Sequence, residues 1–208
     1  MAEPAADGTG VAEKPPVSNL NIANALTVLR IALVPLFAWV LLMDDGQDTT
    51  LRVVAFVVFA LAMITDRIDG EIARSRGLVT NFGKIADPIA DKALTGMAFV
   101  GLSIIGVLWW WVTIVVLVRE WGITLMRFVV IRYGVMPASR GGKIKTTLQS
   151  VALGGYLLPF ELWGGTLSTI LLWVTHVAMV LAVVVTVVTA VDYVMQAVRM
   201  RREARAAA

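Results

Sequence analysis

Apolar residues run along the chain in long, nearly continuous stretches that short polar segments separate. These stretches predict six helices, at about residues 25–43, 51–74, 85–108, 112–133, 147–160 and 166–199. Most of them approach or exceed the roughly 20 residues that a helix needs to cross the hydrocarbon core of a bilayer. The pattern therefore predicts an all-α integral membrane protein, folded as one six-transmembrane-helix bundle.

Two of the predicted helices are polar at one end. The second helix is apolar until it reaches Asp66 and Asp69, and the third begins with Asp87 and Asp91 before it becomes apolar. Because the link at 75–82 is short, both polar ends are expected at the same end of a helical hairpin. At about 1.5 Å per residue, Asp91 would lie about 9 Å inside its helix. The pattern predicts a polar cavity at membrane depth near one face.

The four aspartates pair up by their spacing. Asp66 and Asp69 are three residues apart and Asp87 and Asp91 four apart, so each pair shares one face of its helix. Four carboxylates would repel each other strongly in a low-dielectric site. Hard divalent cations prefer oxygen ligands, so a pair of Mg²⁺ or Mn²⁺ ions is predicted. Ion pairs with nearby basic residues are the structural alternative, but they explain one carboxylate pair more readily than two.

The basic residues of this 58% hydrophobic chain lie on one side of the predicted bundle. Lys and Arg follow the second and fourth helices and fill the C-terminal tail, whereas the three opposite turns carry only Arg52. By the positive-inside rule, both termini and the aspartates face the cytoplasm of a multi-pass protein in the cell membrane. The chain has no cysteine, which excludes disulfides and thiolate metal sites.

The domain organisation is simple. Residues 1–18 are expected to be a disordered or surface-lying tail, residues 19–199 the six-helix domain, and residues 200–208 a basic cytoplasmic tail. Glu161 is interpreted as a solvated turn residue. His176 is the only histidine, so we interpret it as a hydrogen-bonded structural residue.

The residues around the aspartates suit phosphate chemistry. Two metal ions can clamp a phosphate and polarise its attacking and leaving oxygens. Gly70 would let a ligand approach the backbone closely, and Arg74 could form paired hydrogen bonds to phosphate. The basic segment 136–146, predicted to be a loop before the fifth helix, could hold a second anionic group.

The aspartate segment resembles the complete signature of the CDP-alcohol phosphotransferases. The sequence Asp66-x-x-Asp69-Gly70-x-x-Ala73-Arg74 is followed after eight residues by Gly83-x-x-x-Asp87-x-x-x-Asp91. Every fixed position of the signature is filled, with the full spacing. Looser segments are similar to the phosphatidylglycerophosphate synthases within that family: residues 21–30, Arg119-Glu120 with Arg127, and 142–149. Ala23 stands where those synthases often have proline.

The resemblance implies transfer of a phosphatidyl group from CDP-diacylglycerol to glycerol 3-phosphate, with release of CMP. It implies a homodimer in the lipid bilayer, and no nucleic-acid partner is expected. The implied metal ligands are Asp66, Asp69, Asp87 and Asp91, with Asp91 also the general base. The implied CDP-diacylglycerol contacts are Asn24, Thr27, Arg30, Gly70, Ala73, Arg74 and Thr80. The candidates for binding the glycerol phosphate are Arg119, Arg140, Lys143 and Lys145.

Other acceptors remain open within the family. Inositol phosphate also needs a basic pocket, and phosphatidylglycerol is the acceptor of one type of cardiolipin synthase. Serine carries no phosphate, so a second anion site disfavours it. A cation transporter with an aspartate-lined path is the alternative of a different class, but no inverted second half accompanies the aspartates.

Overall fold

The computed structural model describes residues 21–75, 78, 80–130 and 140–206. Within these residues every regular element is helical, which confirms the predicted all-α class. The elements are α1 (Ile22–Leu42), α2 (Thr49–Ser75), α3 (Asn81–Ile104), α4 (Trp110–Val130), α5 (Arg140–Leu157), the single turn α6 (Phe160–Trp163) and α7 (Gly165–Ala206), with a 3₁₀ turn at Met43–Gly46 after α1. Residues 200–206 of the predicted basic tail are therefore a continuation of α7.

Polar side chains cap the helices that carry the candidate site. Asn21 accepts a hydrogen bond from the backbone N–H of Asn24 at 3.0 Å and begins α1. Thr80 accepts one from the backbone N–H of Gly83 at 3.0 Å. The Thr80 cap begins α3 at Asn81, four residues before the predicted start at 85. Each cap fixes the register of the polar residues in the turns that follow.

The basic segment 136–146 was predicted to be a loop, but this prediction is wrong for residues 140–146, which are helical. Helix α5 begins at Arg140, so Arg140, Lys143 and Lys145 belong to its first two turns. The pair Gly141-Gly142 has poor helix propensity, which favoured the loop interpretation. Propensity is a weak signal, however, and the packing of α5 along α7 and against α2 overrides it.

The bundle is organised around α1 and α7. Helix α1 packs extensively against both α2 and α3, while α7 packs extensively against α5 and α4. Helices α2 and α3 contact each other only sparsely. Helices α2 and α3, which were predicted to form a hairpin, are therefore joined mainly through α1, which packs against both.

A continuous apolar core holds these helices together away from the aspartates. Its largest fully buried side chains include Phe37 of α1, Phe99 of α3 and Leu153 of α5. The rings of Phe37 and Phe59 lie with their centroids 5.8 Å apart, which joins α1 to α2. Because interiors pack to high density, this core fixes the relative positions of the helices that carry the polar end.

The outer surface of the bundle is strongly apolar. Large apolar side chains stay exposed along α7, such as Leu167, Trp173 and Val180. Soluble monomers rarely expose large continuous apolar patches. Among the described residues, the segments Ile22–Gly46 and Gly165–Glu203 are long and apolar enough to cross a membrane.

The end of the bundle opposite the aspartates contains an ion pair between a buried arginine and an exposed glutamate. Glu161 is exposed in the single turn α6, in agreement with its interpretation as a solvated turn residue, and it also pairs with Arg52, which is almost fully buried. Arg52 also donates to the carbonyl oxygen of Tyr156 at 2.5 Å. The partners are more than 100 residues apart, so sequence spacing gave no sign of the pair. His176 Nδ1 lies 2.7 Å from the carbonyl oxygen of Leu172, in agreement with a structural role.

Candidate functional site

Arg30 of α1 lies between the two aspartates of α2. Its guanidinium pairs with Asp66, with 2.5 Å between Nη1 and Oδ1, and with Asp69 through Nη2. The Arg30 side chain is 0% exposed, and that of Asp69 is 4% exposed. A buried charge is tolerated only when it is paired, so these carboxylates account for an arginine in an apolar helix. The structure therefore brings Asp66 and Asp69 together around one cation.

Helix α1 reaches the aspartates of α3 through a second contact. Thr27, which precedes Arg30 by three residues and shares its face, donates a hydrogen bond to Asp87 Oδ1 at 2.6 Å. Thr80 donates to Asn24 Oδ1 at 2.9 Å while it caps α3. Asn24, Thr27 and Thr80 are all buried. Three side chains of α1 thus hold three of the four aspartates and the start of α3.

Asp91 occupies the boundary between the aspartates and a separate cavity. Asp91 follows Asp87 by one turn on the same face of α3. Asp91 also lines a cavity of about 80 Å³ between α3, α4 and α5, together with Glu120 and Lys145. Of the four aspartates, Asp91 is the one that faces this cavity. Asp91 therefore links the signature aspartate of the preceding turn to this cavity.

Two of the predicted acceptor residues converge on a carboxylate that the sequence analysis left without a role. Lys145 forms an ion pair with Glu120, and Arg119 Nη1 lies 3.1 Å from the same Oε1 atom. Arg119 also donates to Thr189 Oγ1 at 2.9 Å, which ties α4 to α7. The sequence did offer a sign of this role, because a glutamate within a largely apolar helix needs a partner.

The metal prediction can be tested against this arrangement. Within the residues that the structure describes, no three Asp, Glu or His side chains lie close enough together to ligate one ion. The donor set nevertheless fits a hard divalent cation, since it consists of carboxylates and Asp66 and Asp69 already share one cationic group. An ion bound to both of them would compete with the guanidinium of Arg30 for the same oxygens.

The remaining predicted residues divide into two groups. Gly70 and Ala73 are partly exposed on α2, beyond Asp69. Arg74 lies in the last turn of α2, but its side chain and those of Arg140 and Lys143 lie outside the described part of the chain. The predictions for these three side chains stay predictions.

Comparison with known proteins shows the family of the chain. Residues 20–202 match the family described as CDP-alcohol phosphatidyltransferase. A relative from Mycobacterium tuberculosis named "Probable phosphatidylglycerophosphate synthase" is 50% identical over 179 residues, covering 86% of this chain and 82% of the relative. The "CDP-diacylglycerol--glycerol-3-phosphate 3-phosphatidyltransferase" of Bacillus subtilis is 36% identical over 186 residues, covering 83% and 93%. The "Cardiolipin synthase (CMP-forming)" of Streptomyces coelicolor is 34% identical over 118 residues, covering 57% and 55%. This chain belongs to the CDP-alcohol phosphatidyltransferase family.

Proposed function

We propose that this chain transfers the phosphatidyl group of CDP-diacylglycerol to glycerol 3-phosphate, giving phosphatidylglycerophosphate and CMP. The observation that carries the proposal is the complete aspartate signature. The chain that contains it matches relatives named for this reaction over more than four fifths of its length. In the reaction, a glycerol hydroxyl oxygen bonds to the phosphorus that carries diacylglycerol. The bond from that phosphorus to CMP breaks, and CMP leaves with the bonding electrons.

Asp91 is our candidate for the group that accepts the hydroxyl proton. A general base must lie within hydrogen-bond reach of the proton that it removes. Asp91 is supported by its position, since it lies one turn after Asp87 on α3 and lines the cavity between α3, α4 and α5. The substrate hydroxyl would enter from that cavity.

Divalent ions, when bound, would neutralise charge on the diphosphate and on the departing CMP. We assign Asp66, Asp69, Asp87 and Asp91 as their ligands, with Mg²⁺ or Mn²⁺ in two sites. Support comes from the carboxylate donor set and from the arginine that Asp66 and Asp69 hold between them.

The donor nucleotide would meet the end of α2. Gly70, Ala73 and Arg74 are our candidates for direct contact with the CDP group, because they follow the aspartates on the same helix. Asn24, Thr27, Arg30 and Thr80 are buried against the signature helices. Their part in binding CDP-diacylglycerol would therefore be to set the positions of the aspartates and of the start of α3.

The acceptor would occupy the cavity that Asp91, Lys145 and Glu120 line. Lys145 is its buried cation, and Arg119 joins it through Glu120. Arg140 and Lys143 complete our set of candidates for the phosphate of glycerol 3-phosphate, because they lie in the first turns of α5. Lys92 and Lys145 balance Asp91 and Glu120 around the cavity, so the attraction for a phosphate group would come from these additional basic residues of α5.

The arrangement in the membrane follows from the substrates. The acyl chains of the donor must stay in the bilayer while its head group meets a water-soluble acceptor. We propose six spans in the cell membrane, both termini and the aspartates at the cytoplasmic face, and a homodimer. The exposed apolar side chains of the bundle and the one-sided basic residues support this topology.

The test is turnover of the purified protein in vesicles containing CDP-diacylglycerol and Mg²⁺. Glycerol 3-phosphate, inositol phosphate and phosphatidylglycerol are supplied separately, and CMP release and the product lipid are measured, with Asp91→Asn as the inactive control. We expect strong turnover with glycerol 3-phosphate. Turnover with phosphatidylglycerol alone would favour a cardiolipin synthase, the alternative that the Streptomyces coelicolor relative raises. Turnover with inositol phosphate alone would favour a synthase of phosphatidylinositol phosphate.

A further inference from the structure

Glu120 is a charged residue that the proposed reaction does not use. It lies on α4, with its side chain 25% exposed, and the same oxygen, Oε1, contacts both Lys145 of α5 and Arg119 of its own helix. The Lys145 side chain is only 7% exposed. A buried ammonium group needs a carboxylate, so the position of Lys145 depends on which carboxylate it pairs with.

Asp91 is a second carboxylate on the cavity that Lys145 lines. Glu120 and Asp91 line the same cavity, on α4 and α3 respectively, and Lys145 enters it from α5. An ion pair between Lys145 and Asp91 would neutralise the proposed base and remove the cation from the acceptor phosphate.

We propose that Glu120 is a positioning residue that holds Lys145 on the α4 side of the cavity, away from Asp91. Asp91 thereby stays available to the acceptor hydroxyl, and Lys145 stays available to the acceptor phosphate. The proposal rests on the proposed function, because it gives Lys145 and Asp91 their roles from there. A purely structural ion pair would affect stability. The proposed role instead predicts that loss of Glu120 lowers the rate by letting Lys145 move to Asp91.

The substitution Glu120→Gln keeps the size of the side chain and an oxygen that can accept a hydrogen bond, but removes the charge. Lys145 should then turn to Asp91. We expect kcat to fall by roughly tenfold or more, since a positioned base contributes about 10²–10⁴ to the rate. The KM for glycerol 3-phosphate should rise, while the KM for CDP-diacylglycerol should change by less than about twofold.

The decisive comparison is the double variant. Removing the lysine from the Glu120→Gln background frees Asp91, so Glu120→Gln with Lys145→Gln should have a higher kcat than Glu120→Gln alone. Its KM for the acceptor should stay as high as that of Lys145→Gln. Coupling of this sign is specific to a group that acts through its partner. Glu203→Gln, the same change at an exposed position on α7, is the matched control.

Three results would overturn the proposal: wild-type kinetics in Glu120→Gln, a double variant slower than Glu120→Gln, or equal effects on both KM values. If Glu120→Gln does not fold, Glu120→Asp replaces it, because it retracts the carboxylate by only one methylene. The partial loss of kcat in Glu120→Asp should also be relieved by Lys145→Gln. If the wild type uses a different alcohol, the same comparison of kcat is made with that alcohol. Wild-type turnover thus tests which alcohol is the acceptor, and the kcat values of the variants separately test the role of Glu120.

Discussion

At the scale of single residues, Arg30 is a buried cation at the position where a metal ion is expected. Both of its carboxylate partners belong to the family signature. Two carboxylates that share a low-dielectric site without a cation repel each other. The arginine therefore has a direct physical role whenever no divalent ion is bound, which is to neutralise Asp66 and Asp69.

This role predicts a stability change that depends on metal. Arg30→Met removes the guanidinium and should destabilise the protein in EDTA by about 3–5 kcal/mol, the usual cost of breaking a buried ion pair. Added Mg²⁺ should recover much of that loss, because it takes over the neutralisation. Thermal unfolding in detergent, with EDTA or MgCl₂, measures both effects. Arg30→Lys, which keeps the charge, is the control. An unchanged melting temperature of Arg30→Met in EDTA would contradict this role.

At the scale of helices, α1 acts as a clamp on the two helices that carry the signature. Arg30 contacts α2, and Thr27 contacts Asp87 on α3. Groups that hydrogen-bond to metal ligands orient them, and their loss typically lowers metal affinity by 10–100-fold. The affinity of the aspartates for a divalent ion should therefore depend on a helix that supplies none of the ligands.

Thr27→Val tests the clamp with a nearly isosteric change that removes only the hydroxyl. We expect binding of Mn²⁺, followed by electron paramagnetic resonance of the free ion, to weaken by about tenfold or more. Thr169→Val is the matched control, because among the described residues that hydroxyl bonds only to the carbonyl oxygen of Gly165 in its own helix, at 3.1 Å. Equal Mn²⁺ affinity in the two variants would show that the Thr27 hydrogen bond does not orient Asp87.

The clamp also explains what the sequence could and could not predict. The spacing of the aspartates along α2 and α3 is local, so periodicity was enough to pair them. The partners of Arg30 are at least 36 residues away, and nothing in the local sequence pattern names them. Lys145, which pairs with Glu120, and Arg52, which pairs with Glu161, likewise lie on other helices than their partners. The start of α5 was misplaced because packing outweighed a glycine pair.

At the scale of the whole molecule, the charged groups divide between two ends of one bundle. The aspartates, Lys145 and Glu120 lie at one end, while Arg52 and Glu161 form an ion pair at the other. The apolar core lies between them. A donor with two acyl chains and a water-soluble acceptor can both reach a site built this way, provided that the aspartate end faces the compartment that supplies the acceptor.

Cysteine labelling can determine which end faces the cytoplasm, since the chain has no cysteine of its own. Trp163→Cys places an exposed thiol in α6, and Glu203→Cys places one near the end of α7. We expect a membrane-impermeant maleimide added to intact cells to label Trp163→Cys. Glu203→Cys should react only after the membrane is permeabilised, because the basic residues lie on that side. The opposite labelling pattern would place the aspartates outside the cell, away from cytoplasmic CDP-linked substrates, and would contradict both the topology and the proposed reaction.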